Sequence, residues 1–277
     1  MPEIRVIGPG RAGRSLARAL DQVGWGVELL GRRDDLERAA HGVDALVVAT
    51  PDGAIGPTAS SVAADPSTVV VHLSGSLGLD VLGAHPRRAS LHPLVPLPDA
   101  VTGAKRLLDG ITFAVSGDPM ARRMAQALGG RTVEVDEGRR AAYHAAACVA
   151  ANHVVALLGQ VERIAASAGL DLATFLDLTR AAVDDAARLG PERALTGPAA
   201  RGDWGTLRRH LDALAPDERP AYRAGVALAM RLSAGEPPEP LVGPSTRSGV
   251  TAAGPVCPEE PRSRPRRVAG PTVPVAV

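Results

Sequence analysis

Ile4-Arg5-Val6-Ile7-Gly8-Pro9-Gly10-Arg11-Ala12-Gly13 is the stretch whose reading decides the fold. A short apolar run ends in Gly-x-Gly-x-x-Gly, and a helical pattern, Ser15-Leu16-Ala17-Arg18-Ala19-Leu20, begins at once. Strand, tight glycine turn and helix N-terminus in that order form the frame that a dinucleotide fingerprint requires. In that frame Gly8 permits the sharp turn, and Gly10 lets the backbone approach a pyrophosphate. Gly13 lets the helix pack close to the strand, while the free N–H groups at the helix start, from Arg11 and Ala12 on, face the phosphate charge. The glycine triplet alone is weak, because 30 of the 277 residues are Gly. Its setting gives it weight.

Working outward, Gly26-Val27-Glu28-Leu29-Leu30-Gly31-Arg32-Arg33 reads as a second strand whose end meets the adenosine ribose. An acidic residue there would accept from the 2′-hydroxyl of NAD, whereas Arg accommodates the 2′-phosphate of NADP. Arg32 and Arg33 can hold a phosphate by bidentate, charge-assisted bonds, which favours NADP over NAD. Asp34 and Asp35 would repel that phosphate unless they cap a helix over Leu36–Ala40. Asp44 to Thr50 is an all-apolar run suited to a parallel strand buried on both faces. Thr50 and Pro51 then open a loop over the cofactor, with Asp52 either part of it or a helix cap.

Further strands are expected at Thr68–Ser76, Arg88–Pro93, Ile111–Gly117 and Arg131–Val135, with a helix from Met120 to Leu128. Strands alternating with helices imply a mostly parallel sheet covered on both faces. The rhythm changes at Gly138, after which no strong breaker interrupts the chain to about Ala168; such a helix spans about 45 Å at 1.5 Å per residue. More helical patterns follow at Asp171–Leu189, Asp203–Leu214 and Pro216–Ala234. The parse is an α/β Rossmann-type domain over 1–137, an all-α domain over 138–234, and a disordered tail over 235–277. The tail holds ten of the 24 prolines and a basic cluster, Arg262, Arg264, Arg266 and Arg267.

Composition narrows the function. A net charge of +1 gives no reason to expect nucleic acid or a membrane surface as partner, and 2% aromatics leave no stacking platform for bases. Cys148 and Cys257 are too few and too far apart for a disulfide framework or a zinc site, so no metal is expected. No apolar run is read as approaching about 18 residues without charge, and the chain reads as soluble and cytoplasmic. Lys105 is the only lysine, and it falls in a stretch that reads as a loop.

Ligands of open parallel sheets bind beyond the carboxyl ends of the strands. His72, Ser74 and Ser76 leave the fourth strand at that edge, and His92 leaves the fifth. Hydride transfer needs a hydrogen-bonding acid–base near the substrate heteroatom, with a pKa near working pH, and imidazole suits it. His92 is the candidate, with Ser74 orienting it or the substrate and also counted among the cofactor-binding residues; His72 either joins them or is buried in its strand. His41 and His85 read as surface residues. On the long helix His144 and Asn152 are eight apart on nearly the same face, either projecting into a cleft or bonded to neighbouring helices. Arg201 holds an anionic substrate, crosses a dimer interface or makes an ion pair; Asp203 caps the next helix, and His210 packs.

These residues together resemble the Rossmann-like oxidoreductases whose second domain is a helical domain of unknown function. The resemblance covers roughly Ile4 to Leu232. It rests on the Gly8–Gly13 fingerprint, Pro51-Asp52 with Ile55, His72-Leu73-Ser74-Gly75, Leu91-His92-Pro93-Leu94, Tyr143-His144-Ala145-Ala146-Ala147 through Asn152, Leu195-Thr196-Gly197-Pro198, Arg201-Gly202-Asp203 and His210-Leu211. It implies NADP binding, an oxidoreductase activity and a C-terminal domain like that of 6-phosphogluconate dehydrogenase. More distantly the layout is similar to prephenate dehydrogenase, pyrroline-5-carboxylate reductase and the β-hydroxyacid dehydrogenases. In prephenate dehydrogenases a Ser after the fourth strand and a His-Pro after the fifth address the substrate; by position these are Ser74 or Ser76, and His92. The β-hydroxyacid dehydrogenases use Lys-x-x-x-Asn on the interdomain helix; Asn152 matches the Asn, but Cys148 stands where the Lys would be. That departure shifts weight to the histidines. Relatives often dimerise through the helical domain, so a homodimer is expected.

The expectation is an NADP(H)-dependent oxidoreductase acting on a small, carboxylated oxo or imino compound. The alternative is a non-catalytic NADP-binding sensor or scaffold.

Overall fold

The computed structural model describes residues 1–233. The expected disordered tail and Cys257 lie outside them. Among the described residues the chain packs as two compact units, Met1–Asp177 and Leu178 onward.

The first unit is built on a seven-stranded sheet: β1 (Glu3–Ile7), β2 (Gly26–Leu30), β3 (Ala45–Val48), β4 (Val69–His72), β5 (Arg88–Pro93), β6 (Thr112–Gly117) and β7 (Arg131–Glu134). Their spatial order is β2-β1-β3-β4-β5-β6-β7, parallel except where β6 runs against β5. Residues of a strand alternate between faces, so each run of branched apolar residues serves two cores. Ala45 and Val47 of β3 pack with Leu16, Leu20, Leu107 and Met124 on one face. Leu46 and Val48 pack with Ile7, Ile55 and Leu82 on the other. Helices α1 (Arg11–Gln22), α2 (Asp52–Ser60), α3 (Ala100–Leu107) and α4 (Met120–Ala127) cover these faces.

Three local readings need correction. Lys105 is on α3, not in a loop: Asp99 caps that helix by accepting from the N–H groups of Val101 and Thr102. Leu36–Ala40 forms turns, not a helix. Asp34 accepts from the Gly31 N–H at 2.6 Å and Asp35 from the Glu37 N–H at 3.1 Å, so both carboxylates close loops. His85 is buried, its Nε2 donating to the Ala59 carbonyl at 2.9 Å, because that bond removes the cost of burying one ring nitrogen.

After β7 the chain enters one long helical run. It comprises α5 (Arg140–Cys148), a π turn (Val149–His153) and α6 (Val154–Ser167). The break in rhythm at Gly138 thus coincides with the end of the sheet, and the compact unit runs on to Asp177. Residues 141–161 contain no Asp, Glu, Lys or Arg, so the expected absence of a long uncharged run does not hold. The helix Glu137–Ser167 is long and apolar enough to cross a membrane by length and composition. Tyr143, His144, Asn152, His153 and Gln160 break that run with polar groups, and His, Asn and Gln side chains carry the cost of hydrocarbon burial without being charged.

The second unit takes in most of α7 (Ala173–Leu189), then the short α8 (Pro191–Ala194) and α9 (Gly197–Ala200), then α10 (Trp204–Ala213) and α11 (Arg219–Leu232). Leu207 and Leu211 form its small core with Trp204, Tyr222 and Val226. Asp203 caps α10 as expected, accepting from the Thr206 N–H at 3.0 Å. His210 accepts from the Tyr222 hydroxyl at 2.6 Å.

Candidate functional site

The glycine turn has the shape the fingerprint demands. Gly8 has φ +110°, a backbone angle that side chains rarely tolerate, and a Cβ there would meet the Ala49 carbonyl oxygen at 2.8 Å. A Cβ on Gly13 would fall 2.1 Å from the Gly8 carbonyl oxygen, so α1 packs on its strand only because that atom is missing. A Cβ on Gly10 would meet nothing within 4 Å. Gly10 heads α1, and no side chain caps the helix, leaving the first amides, those of Arg11 and Ala12, without a side-chain acceptor. Beside this turn lies a cavity of 680 Å³, at the carboxyl edge where the strand order reverses between β2-β1 and β1-β3.

Gly8, Gly10, Arg32, Arg33, Thr50 and Pro51 line that cavity. Arg32 and Arg33 are exposed; Asp34, which might have repelled an anion, is engaged by the Gly31 amide. The Thr50 hydroxyl is buried there with no hydrogen-bond partner. A glycine cradle, uncapped amides, a guanidinium pair and an orphaned hydroxyl fit a pyridine dinucleotide carrying a 2′-phosphate.

The second construction lies where β5 meets α5. Arg140 opens α5 almost fully buried, its Nη2 donating to Ser90 at 3.0 Å, Ser116 at 2.6 Å and Glu137 at 3.0 Å. Ser90 and Ser116 face each other across the β5–β6 pairing, so this guanidinium pins the helix start to the sheet. Tyr143 and His144, three and four residues on, then fall on the helix face turned toward β5. The Tyr143 hydroxyl and His92 Nδ1 share a hydrogen bond of 2.5 Å. The rings of His92 and His144 lie 6.1 Å apart, and Cys148 Sγ is 3.9 Å from His144 Nε2. Gly75, leaving β4, makes room for both imidazoles: a Cβ there would lie 2.7 Å from His92 Cε1 and 2.8 Å from His144 Cδ2.

His92, His144, Cys148 and Asn152 share a cavity of 620 Å³ with the apolar walls Pro93–Pro96 and Ala147, Ala150 and Ala151. An unbroken α-helix would carry Asn152 about 80° past His144, at 100° per residue. The π turn at Val149–His153 winds more widely and keeps both residues on one cavity, a common use of π-bulges at functional sites.

Burial, then the neighbouring His144 and Arg140, hold the His92 pKa down to about 4. Its imidazole is therefore neutral at neutral pH, not poised near it as expected. Burial pushes the Tyr143 phenol up to about 12, so it keeps its proton and donates. With Nδ1 accepting, the remaining proton of His92 sits on Nε2. His72 is fully buried, both ring nitrogens lack partners, and burial lowers its pKa to about 4 as well. It is the strand-interior alternative of the two open to it.

Ser74 is 6% exposed, and its oxygen accepts from the Ser76 and Leu77 amides at 3.2 and 3.1 Å. Ser76 in turn donates to Asp52 at 2.7 Å. None of these bonds reaches His92; the serines shape the loop that carries Gly75. Arg201 follows α9 in the second unit and is exposed, with Asp203 in its electrostatic range. Sequence reasoning passed over Tyr143 and Arg140. Their signal was the Arg-x-x-Tyr-His spacing at the head of the long helix, one face of a helix opposite a strand ending in His-Pro.

Residues 110–228 match the family model of a domain of unknown function, DUF2520. No curated protein matches the sequence. Among solved structures, BF3122 of Bacteroides fragilis, designated an NADP oxidoreductase, is 20% identical over 84% of this chain and 98% of its own, with a TM-score of 0.69. TM1727 of Thermotoga maritima is 23% identical over 83% of this chain and 98% of its own, with a TM-score of 0.64. The NADP-bound pyrroline carboxylate reductase of Plasmodium falciparum is 13% identical over 84% and 98%, with a TM-score of 0.55. Residues 110–228 thus match the DUF2520 model, and the chain shares with these structures the fold of a Rossmann-type sheet followed by a helical C-terminal part.

Proposed function

We propose that the chain is an NADP(H)-dependent oxidoreductase that moves a hydride to or from the carbon of a small oxo or imino compound. The observation that carries this reading is a neutral His92, backed by Tyr143, opening on a cavity of the same sheet edge that carries the glycine cradle. The Gly8–Gly13 turn, Thr50, Pro51 and the Arg32–Arg33 pair would hold the nucleotide, NADP rather than NAD because two guanidiniums and no free carboxylate meet the ribose end. When bound, the nicotinamide supplies or accepts the hydride.

The chain's own residues manage the proton. In the reducing direction the heteroatom of the substrate gains electron density and takes the proton from His92 Nε2. Tyr143 passes its proton to Nδ1, and solvent restores the half-exposed phenol. His144 and Asn152 offer hydrogen bonds that orient the reacting group.

NADPH oxidation against a panel of 2-oxo acids, neutral ketones and cyclic imines tests the reading. His92→Ala should lower kcat by about 10²–10⁴-fold with NADPH affinity unchanged. Tight NADPH binding with no turnover on any member of the panel would favour a sensor or scaffold instead.

We also propose a cytoplasmic homodimer formed through the helical part. Val155 and Leu157 of α6 are 69% and 53% exposed, and association would cover them. Sedimentation of detergent-free protein as a monomer would remove this proposal.

A further inference from the structure

The cavity that holds His92 differs from the cofactor cradle in one respect that bears on its substrate. None of its lining residues is Arg, Lys, Asp or Glu. Arg140, whose charge is felt at His92, is 3% exposed and does not line the cavity: its Nη2 is engaged by Glu137 at 3.0 Å and by two serine hydroxyls. Asp52, on the other side, is engaged by Ser76. The polar groups that do reach the cavity are His92, neutral at neutral pH, together with His144, Cys148 and Asn152.

A carboxylate drawn in beside His92 would give up water for Pro93–Pro96 and for alanine methyls, with no Arg or Lys among the lining residues to meet it. A neutral carbonyl or imine loses nothing comparable: one heteroatom takes the His92 Nε2 proton, and its apolar substituents lie on those same walls. Ala147, Ala150 and Ala151 are short side chains on the helix face, and this leaves volume for a substituent larger than methyl within the 620 Å³.

Resting on the oxidoreductase reading above, we propose that the substrate group held here is an uncharged ketone, aldehyde or imine flanked by apolar substituents, and that the pocket discriminates against 2-oxo acids. The carboxylated compound expected from Arg201 is not what these walls select. In the reducing direction the carbon gains the hydride of NADPH, the C=O or C=N π pair becomes the new O–H or N–H bond using the His92 proton, and NADP⁺ is released.

The test uses a matched pair with the same reacting carbonyl, benzoylformate and its methyl ester, titrated calorimetrically into the full-length protein saturated with tetrahydro-NADPH, whose nicotinamide ring is uncharged and has no hydride to give. The ester should bind at least tenfold tighter than the acid. Ala151→Arg, which adds a cation to the wall, should reverse or erase that order. Equal or tighter binding of the acid to the unmodified protein, or binding of neither, would overturn the proposal. Turnover is read separately with NADPH. An ester that binds by this criterion, with no reduction of it or of any other member of the panel, would sink the oxidoreductase reading and leave the pocket's preference standing.

Discussion

Two cavities on one sheet, 680 Å³ at the glycine turn and 620 Å³ at His92, are nearly equal in size and opposite in construction. The first is made by absence: missing Cβ atoms, an uncapped helix start, an unpaired hydroxyl. Its cradle belongs to the backbone of one glycine turn, with the Arg32–Arg33 pair and Thr50 added from the neighbouring strand ends. The second is made of side chains 51 residues apart in sequence, brought together by a buried guanidinium and given their protonation by burial. Backbone cradles fail by steric intrusion, whereas side-chain pockets fail by losing a proton path. Variants should therefore separate the two.

The largest effect is expected from Gly13→Ala. Its new methyl would sit 2.1 Å from the Gly8 carbonyl oxygen and 3.1 Å from Ala49 Cβ, and backbone atoms cannot move aside cheaply. A loss of about 1–3 kcal/mol, and NADPH binding too weak to detect, should appear in thermal melts and fluorescence titration. Wild-type NADPH affinity in this variant would break the claim that the turn is the cofactor site.

Next comes Arg32→Ala with Arg33→Ala. Two charge-assisted bonds to a 2′-phosphate are worth enough that NADPH affinity should fall about 10–100-fold, with NADH affinity nearly unchanged. Equal losses for both nucleotides would leave the cradle but remove its preference.

Tyr143→Phe should leave nucleotide affinity alone and lower kcat by about tenfold, since general acid–base assistance is worth a few powers of ten and His92 itself remains. Its signature is in the ring: nitrogen chemical shifts of His92 should change from a single Nε2–H tautomer to a mixture. An unchanged tautomer would show that the hydroxyl does not position the imidazole.

The effect that vanishes at neutral pH, and grows only in acid, is on stability. His72 and His92 have folded pKa values near 4, below the ordinary 6.5, so the unfolded chain binds more protons between those values. Stability should therefore be fully present above pH 6.5 and fall as pH drops toward 4, by at most about 1.4 kcal/mol per pH unit for each histidine. Urea midpoints at several pH values measure the slope, and His72→Phe should roughly halve it.

Much of this was legible in the chain. All seven strands are legible in place and order, because apolar runs between glycine and proline signals leave few other options, while the second and fourth end three to four residues sooner than their runs suggest. The missed helix α3 begins with a proline-rich approach and an Asp99 cap, and its apolar face, Ala104 and Leu107, shows no long period to read. His85 was misplaced because nothing in its flanking residues reports that the Ala59 carbonyl waits 26 residues away.

What the sequence determined by itself was local: the glycine turn, the order of strands and helices, and the guanidinium pair at the end of β2. Those depend on steric rules and periodicities that act within a few residues. Only the tertiary structure decided that Tyr143 backs His92, that Arg140 is spent on pinning the helix to the sheet, and that no Arg, Lys, Asp or Glu lines the cavity at His92. Burial and the partnering of distant polar groups set protonation, and neither exists until the chain has closed on itself.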